Sequence, residues 1–392
     1  MSIWSEDEDL LRNPYTDCPP LNRCPKNIGL RLGGHKVILT QILFDIIIDM
    51  SKARFSKKQN EISHIYLKGS DLAEREREVL EDASKRLGFA PEKIISRSNW
   101  WTSKEIGAFF CLGTYRNQKT MLKIQGVKTT VSEIYMINAF KKANKSKFLR
   151  PPYLYASLPW NDEKRYEALV LEPVEKRVVQ TPTNEKELNN FFNAYLEYRQ
   201  NCLGNPWLEV PKDSISQRIS DNFKIWRKAS FKLYPTHPLR ESADGKLIDK
   251  AVEILKKGYQ NVNFEFQHGH FSEGDLYQKD SQIVLLSNLY WGWKPPLYDA
   301  VFGMHWFIYH LADVKDITPE IIEEQRKLWF EKIESLPGVK ANEKLYNLAL
   351  LERAAAGLNL DSLSVGTEDK IASYLVDKTR EQVQSLIQDL KT

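Results

Sequence analysis

The stretch FQHGHFSEGD, Phe266–Asp275, follows the apolar run VNFEF and precedes YQKDSQIVLLSNLYWGWKPPLYD, which ends at Asp299. Within ten residues it holds two histidines, His268 and His270, and two carboxylates, Glu273 and Asp275. On a strand, the two histidines of H-x-H point to one face, a spacing that suits zinc or iron. Metal hydrolases built on that spacing need further histidines or carboxylates at set intervals in a β-rich scaffold. His35, His64, His237, His305 and His310 show no such arrangement, and helical patterns flank the loop. His305 and His310 lie in an apolar helical pattern and read as core or interface residues.

At 392 residues the chain can bury a large core in two or three domains. Its 42% hydrophobic and 28% charged residues are those of a globular protein. A net charge of +4, from 56 basic and 52 acidic residues, is too mild to imply a nucleic-acid partner. The densest basic run, FKKANKSKFLR from Phe140, reads as a solvated helix end. Cys18 and Cys24 have no second pair nearby, and Cys111 and Cys202 stand alone, so neither a zinc spacing nor a disulfide framework is present. That favours a cytoplasmic location, as does the acidic start MSIWSEDEDLL, which is unlike a secretory signal. In VILTQILFDIIIDM, Gln41, Asp45 and Asp49 recur every four residues, which predicts a buried amphipathic helix and not a membrane span.

Along the chain, residues 1–98 read as a small α/β extension. It holds a helix near 36–53, a strand at SHIYLKG, a helix capped by Ser70 or Asp71 and closed by Gly88, and a further strand at KIISRS. Residues 99–175 read as a strand-rich lobe in which GAFFCLG and KTMLKIQG form a hairpin about TYRNQ. The helix SEIYMINAFKKA follows, then the strands PYLYASL and YEALVLEPVE. Residues 176–392 read as a helical lobe, broken by short strands around the quoted loop and ending in a helix from Asp369 to Lys391. The predicted class is α+β.

That order of elements, with the block His268–Asp299, resembles the aminoglycoside phosphotransferase and choline kinase family, distant relatives of protein kinases. The family's loop reads H-G-D with an asparagine five residues after the aspartate. A second aspartate ends the next hairpin, followed by a glycine-aromatic-x-P segment and a tyrosine-aspartate that opens a helix. Here His268 and Gly269 match, as does GWKPPLYD, Gly292–Asp299. His270 stands in place of the first aspartate, Asp275 in place of the asparagine and Ser287 in place of the second aspartate.

The resemblance implies a bilobal protein-kinase-like fold with a small α/β N-terminal extension, and ATP and Mg2+ as cofactors. It makes His268 and His270 the degenerate catalytic pair and Asp275 the metal ligand. Lys123 would face the phosphates, paired with Glu133, and the Val174 N–H would face adenine. Asp299 would tie the helix start to the loop. Taken alone, Lys123 and Glu133 read as ordinary surface residues, and only the motifs of the second lobe put the functional reading on an even footing. The phosphate-covering turn holds only Gly107 and Gly113, which is glycine-poor. Trp100 and Trp101 beside it suit core packing or a ligand cover.

Two readings follow. In one, the chain is a pseudokinase that binds a nucleotide, a small molecule or a protein partner. In the other, it is an active small-molecule kinase with Asp275 as main metal ligand, His270 as base and Glu273 filling in. Transfer needs carboxylates to orient the acceptor hydroxyl and hold the metal. Two replaced key positions and a third altered favour the first reading.

Overall fold

The computed structural model describes residues 69–98, 106–233, 243–359 and 370–391. The helix expected near 36–53, the strand at SHIYLKG up to residue 68, Cys18, Cys24, Trp100 and Trp101 lie outside the described residues. The rest falls into two compact units, one holding 69–98, 106–128 and 156–170, the other 129–155 and the described residues from 171 onward.

In the first unit, helix α1 (Gly69–Leu87) ends where Gly88 takes a φ of +70°, a left-handed turn that glycine adopts without strain. The chain then enters β1 (Phe89–Ser98), which pairs antiparallel with β2 (Ala108–Tyr115). A two-residue turn at Arg116 and Asn117, both at positive φ, returns the chain into β3 (Gln118–Gln125), as a tight hairpin requires. After α2 (Glu133–Ala143) and β4 (Leu149–Arg150), strands β5 (Leu154–Asn161) and β6 (Tyr166–Leu171) complete a sheet of order β1-β2-β3-β6-β5. Val79 and Ala83 of α1 share one core with Phe89, Phe109, Leu122, Ile124, Ala168 and Val170. The extension expected to end at residue 98 is therefore, over its described part, the edge strand and covering helix of this same sheet.

The second unit is mainly helical. Its capped helices start where the sequence supplies an oxygen: Ser132 accepts from the Ile134 N–H at α2, and Asn184 from the Glu187 N–H at α3 (Glu185–Cys202). There follow α4 (Ile215–Leu233) and α5 (Ala243–Gly258), then the short strands around the loop. Strand β7 (Lys176–Arg177), β8 (Glu265–Gln267), β9 (Leu276–Lys279), β10 (Gln282–Leu285) and β11 (Gly292–Lys294) form two small sheets, β4-β10-β9-β7 and β11-β8. Helix α6 (Tyr298–His310) is buried along nearly its whole length, with α7 (Pro319–Glu334), α8 (Glu343–Asn359) and α9 (Lys370–Asp389) following it in sequence. The sequence reading omitted α8. Most of its residues are buried, so no polar face sets a helical period to detect.

The placement of β1 is tested at Gly113, which faces β1 across the sheet. A Cβ added there would fall 2.2 Å from the Ala90 carbonyl oxygen and 2.5 Å from Phe89 Cζ. Gly113→Ala is expected to lower the stability of the strand unit by about 2 kcal/mol, the usual cost of overpacking a close contact. Urea denaturation of the full chain checks this; an unchanged midpoint contradicts the pairing of β1 with β2.

Candidate functional site

Pairing of β8 with β11 sets Gln267 opposite Gly292 and launches the loop His268–Asp275 beside the start of α6. Asp299, fully buried in the first turn of that helix, accepts the His268 N–H at 2.9 Å on one oxygen and the Gly269 N–H at 2.8 Å on the other. The Tyr198 hydroxyl donates to it as well. Gln267 completes the joint, its side-chain oxygen taking the Asp299 N–H at 3.2 Å while its amide donates to the Pro295 carbonyl at 2.7 Å. Burial lifts the Asp299 carboxyl above its ordinary range, against the Tyr198 bond, the Lys294 charge and the two amides. Both of its oxygens act as acceptors, so the group works as a carboxylate. Gly269 takes a φ of +81°, and a Cβ there would fall 2.4 Å from Lys294 Cε and 2.5 Å from the Tyr290 carbonyl, so only glycine fits this corner.

His268 is a wall of the site. Its Nε2 lies 2.9 Å from the Leu286 carbonyl, which can only accept, so Nε2 carries the proton. Its Nδ1 is buried with no hydrogen-bond partner among the described residues. Burial, with the neighbouring His270 and Lys294 charges acting in the same sense and Asp275 against them, lowers its pKa from 6.5 to about 3. The ring stands edge-on to Trp291, centroids 5.1 Å apart. It is neutral and sealed, unsuited to exchanging protons with a substrate.

His270 lies at the half-buried edge of the loop, stacked on Tyr290 at 4.5 Å and tilted against Phe302 at 5.0 Å. Its Nδ1 is 2.9 Å from Asp275 Oδ2. The same Asp275 oxygen accepts the Ser272 N–H at 3.2 Å and the Ser272 hydroxyl at 2.6 Å. Burial pushes the Asp275 carboxyl up, but the charge and hydrogen bond of His270 and the Ser272 bond outweigh it and hold the group below its ordinary value. An ionised carboxylate can only accept, so His270 holds its proton on Nδ1 and its Nε2 is the basic nitrogen when the ring is neutral.

Ser287 follows the β9–β10 hairpin, half-buried and in a left-handed conformation with φ 56°. The next residue, Asn288, donates its N–H to Glu133 Oε1 at 3.1 Å, its side-chain amide to the Leu285 carbonyl at 2.8 Å, and accepts from Trp291 Nε1 at 3.0 Å. Glu133 on α2 thus holds the segment after Ser287. Lys123, on β3 of the strand unit, is buried opposite Phe110 in register, its Nζ 5.4 Å from that ring. Val174, in the helical unit, is half-buried. Neither Lys123 nor Glu133 is the ordinary surface residue that its sequence context also allowed.

Sequence reasoning missed the role of Glu273. It is fully buried, and one of its oxygens bonds His310 Nδ1 at the far end of α6. Burial would raise its carboxyl, but the charge and bond of His310 and the charge of Arg177 hold it below the ordinary range. The two residues are 37 apart in sequence, so no local signal marks the pair. Phe271 is the loop's apolar anchor, 4.9 Å from Phe191 and 5.1 Å from Tyr198.

Magnesium takes hard oxygen ligands in near-octahedral array, mostly one or two carboxylates with waters and phosphates. Here one oxygen of Asp275 already holds three donors, and the other two positions are an imidazole and a hydroxyl. This donor set does not fit magnesium. Among the described residues, no group of three histidine, cysteine, aspartate or glutamate side chains is placed to hold a metal ion.

The burial of neutral His268 makes a pH prediction. The unfolded chain takes up a proton near pH 6.5 and the folded chain only near 3, so this residue's contribution to stability is full above 6.5 and falls as pH drops through that window. Between pH 6.5 and about pH 5, His268→Gln should lose about 2 kcal/mol less stability than the native sequence. Chemical denaturation at the two pH values checks this; parallel losses would show that His268 is protonated in the folded state.

No sequence family and no curated protein matches the chain. Among solved structures it is similar to the aminoglycoside phosphotransferase APH(4)-Ia, with a TM-score of 0.51 at 11% identity, over 81% of this chain and 98% of that one. A thermostable mutant of the same enzyme, in ternary complex with ADP and hygromycin B, gives 0.50 at 11% identity over 78% and 96%. A choline kinase from Cryptosporidium parvum Iowa II gives 0.45 at 15% identity over 77% and 90%. The chain has the α+β, protein-kinase-like fold of the aminoglycoside phosphotransferases, a strand-rich N-terminal sheet followed by a helical lobe.

Proposed function

We propose that this chain is a pseudokinase: a phosphotransferase fold that has left metal-dependent transfer and acts by binding a nucleotide, a small molecule or a protein partner. The observation that carries this reading is the commitment of Asp275 Oδ2 to His270 and Ser272, beside a serine where the resemblance calls for a second metal aspartate. A loop that binds Mg·ATP needs net negative charge facing the ion. Of the two carboxylates in this one, Glu273 is bonded to His310 and Asp275 is held by His270 and Ser272. A relative of the same fold holds ADP in its structure, and Lys123, Glu133 and the Val174 N–H would serve the phosphates and adenine here, with magnesium adding little. The reading includes a cytoplasmic location. Among the described residues no helix is long and apolar enough to cross a membrane.

The same His270–Asp275 contact favours a second reading, an active ATP-dependent kinase acting on a hydroxyl acceptor. A carboxylate on Nδ1 orients an imidazole and makes Nε2 its basic nitrogen, which is how a general base is commonly built.

Calorimetric titration with ATP, with magnesium and with a chelator in its place, decides between them. The pseudokinase reading expects affinities that differ by less than about tenfold, under 1.4 kcal/mol, and no ATP turnover against a panel of hydroxyl compounds. The combined variant His270→Asp, Asp275→Asn, Ser287→Asp should then gain magnesium-dependent affinity. Magnesium-dependent turnover by the native chain, abolished by His270→Gln, would overturn the proposal and establish the kinase.

A further inference from the structure

The small sheet β4-β10-β9-β7 carries a cation that the reading above does not use. Register sets Arg177 of β7 opposite Tyr277 of β9, so the two side chains share one face of the sheet. The ladder runs on into the loop, where the Asp275 carbonyl accepts the Leu286 N–H at 2.8 Å. Side chains alternate along a strand, so Asp275, two residues before Tyr277, belongs to that same face. Diagonal neighbours of this kind lie about 7–8 Å apart, within reach of a long side chain. Arg177 is half-buried, whereas Lys176 beside it is exposed.

The loop holds two buried carboxylates. Glu273 has one oxygen bonded to His310 Nδ1 and the other buried with no hydrogen-bond partner among the described residues. Asp275 has one oxygen held by His270 and Ser272. The Arg177 guanidinium donates to the Tyr277 hydroxyl. Burial lifts that hydroxyl above its ordinary range, against the charge and bond of Arg177, so it is un-ionised at neutral pH. Burial also works against the Arg177 charge, but Tyr277 and the charges of Glu273 and Asp275 outweigh it and keep the guanidinium above its ordinary value.

A buried carboxylate keeps its charge only where a cation or hydrogen bonds meet it. In a loop that serves a metal, the ion meets that need, and it is repelled where a fixed cation already does so. We infer that Arg177 is the built-in counter-ion of this loop, its guanidinium meeting the charge of Glu273 and Asp275 and so excluding divalent cations from them. The inference rests on the pseudokinase reading and adds the residue that maintains it: the loop refuses metal through a cation on β7 as well as through its own donor set.

The probe is manganese(II) alone, without nucleotide, followed by the paramagnetic resonance of the free ion in solutions of the full chain. The native chain should leave the ion free. Arg177→Gln should bind it at least about tenfold more tightly than the native chain does, and Glu273→Gln added to that variant should remove the gain. Arg177→Lys, which keeps the charge, and Lys176→Gln, which removes a charge from the exposed neighbour, should both behave as the native chain. If Arg177→Gln alone fails to fold, the double variant with Glu273→Gln should fold, since the carboxylate that lacked a cation is gone; failure of both overturns the inference. So does the absence of a gain in Arg177→Gln, or an equal gain in Lys176→Gln, and either leaves the pseudokinase reading standing. Manganese bound by the native chain and released in Asp275→Asn would overturn the inference and that reading together.

Discussion

The helical unit is organised around one carboxylate. Asp299 sits at the start of a buried helix and receives two consecutive amides of the loop, one on each oxygen, with Tyr198 as a third donor. Backbone N–H groups buried without acceptors cost roughly 1–3 kcal/mol each, so the loop has little freedom to leave this position. The left-handed turn at Gly269 follows, because successive amides converge on one carboxylate only if the chain bends sharply there. Phe271 fills the apolar space behind that bend, and His268 closes the wall in front of Leu286. None of these contacts involves a transferred phosphate. The loop therefore holds its shape whatever chemistry it performs.

What changes is the charge that the scaffold displays. Asp275 is drawn into the loop by His270 and Ser272, and Glu273 is drawn toward His310 and Arg177. Each buried carboxylate has a cationic or hydrogen-bonding partner within the protein, which is the condition for keeping a buried charge. A loop that served magnesium would leave that demand for the ion to meet. Here the histidines His270 and His310 meet it.

Much of the fold was legible because it rests on local signals. The hairpin about Arg116 and Asn117, the caps at Ser132 and Asn184 and the glycine stop at Gly88 all follow from short-range chemistry. Spacing within His268–Asp299 carried the loop and its Asp299 joint. The place of β1 was not legible, because strand partners are not written in strand sequence: β1 belongs to the sheet through pairing with β2. Helix α8 was missed because burial on all sides erases its period. The pairs His270–Asp275 and Glu273–His310 were out of reach for another reason. Residue types show which groups can bond, and only the fold shows that the two carboxylates turn inward to histidines.

The state of His270 tests the central claim most directly. In a sample with nitrogen-15 in its histidines, NMR reports which imidazole nitrogen carries the proton and whether that proton is hydrogen-bonded. A bonded proton on His270 Nδ1 is expected, lost in Asp275→Asn, and unmoved when magnesium and ATP are added together. If magnesium with ATP releases that proton, Asp275 has turned to the metal, and the view of this loop as a scaffold without metal chemistry is contradicted.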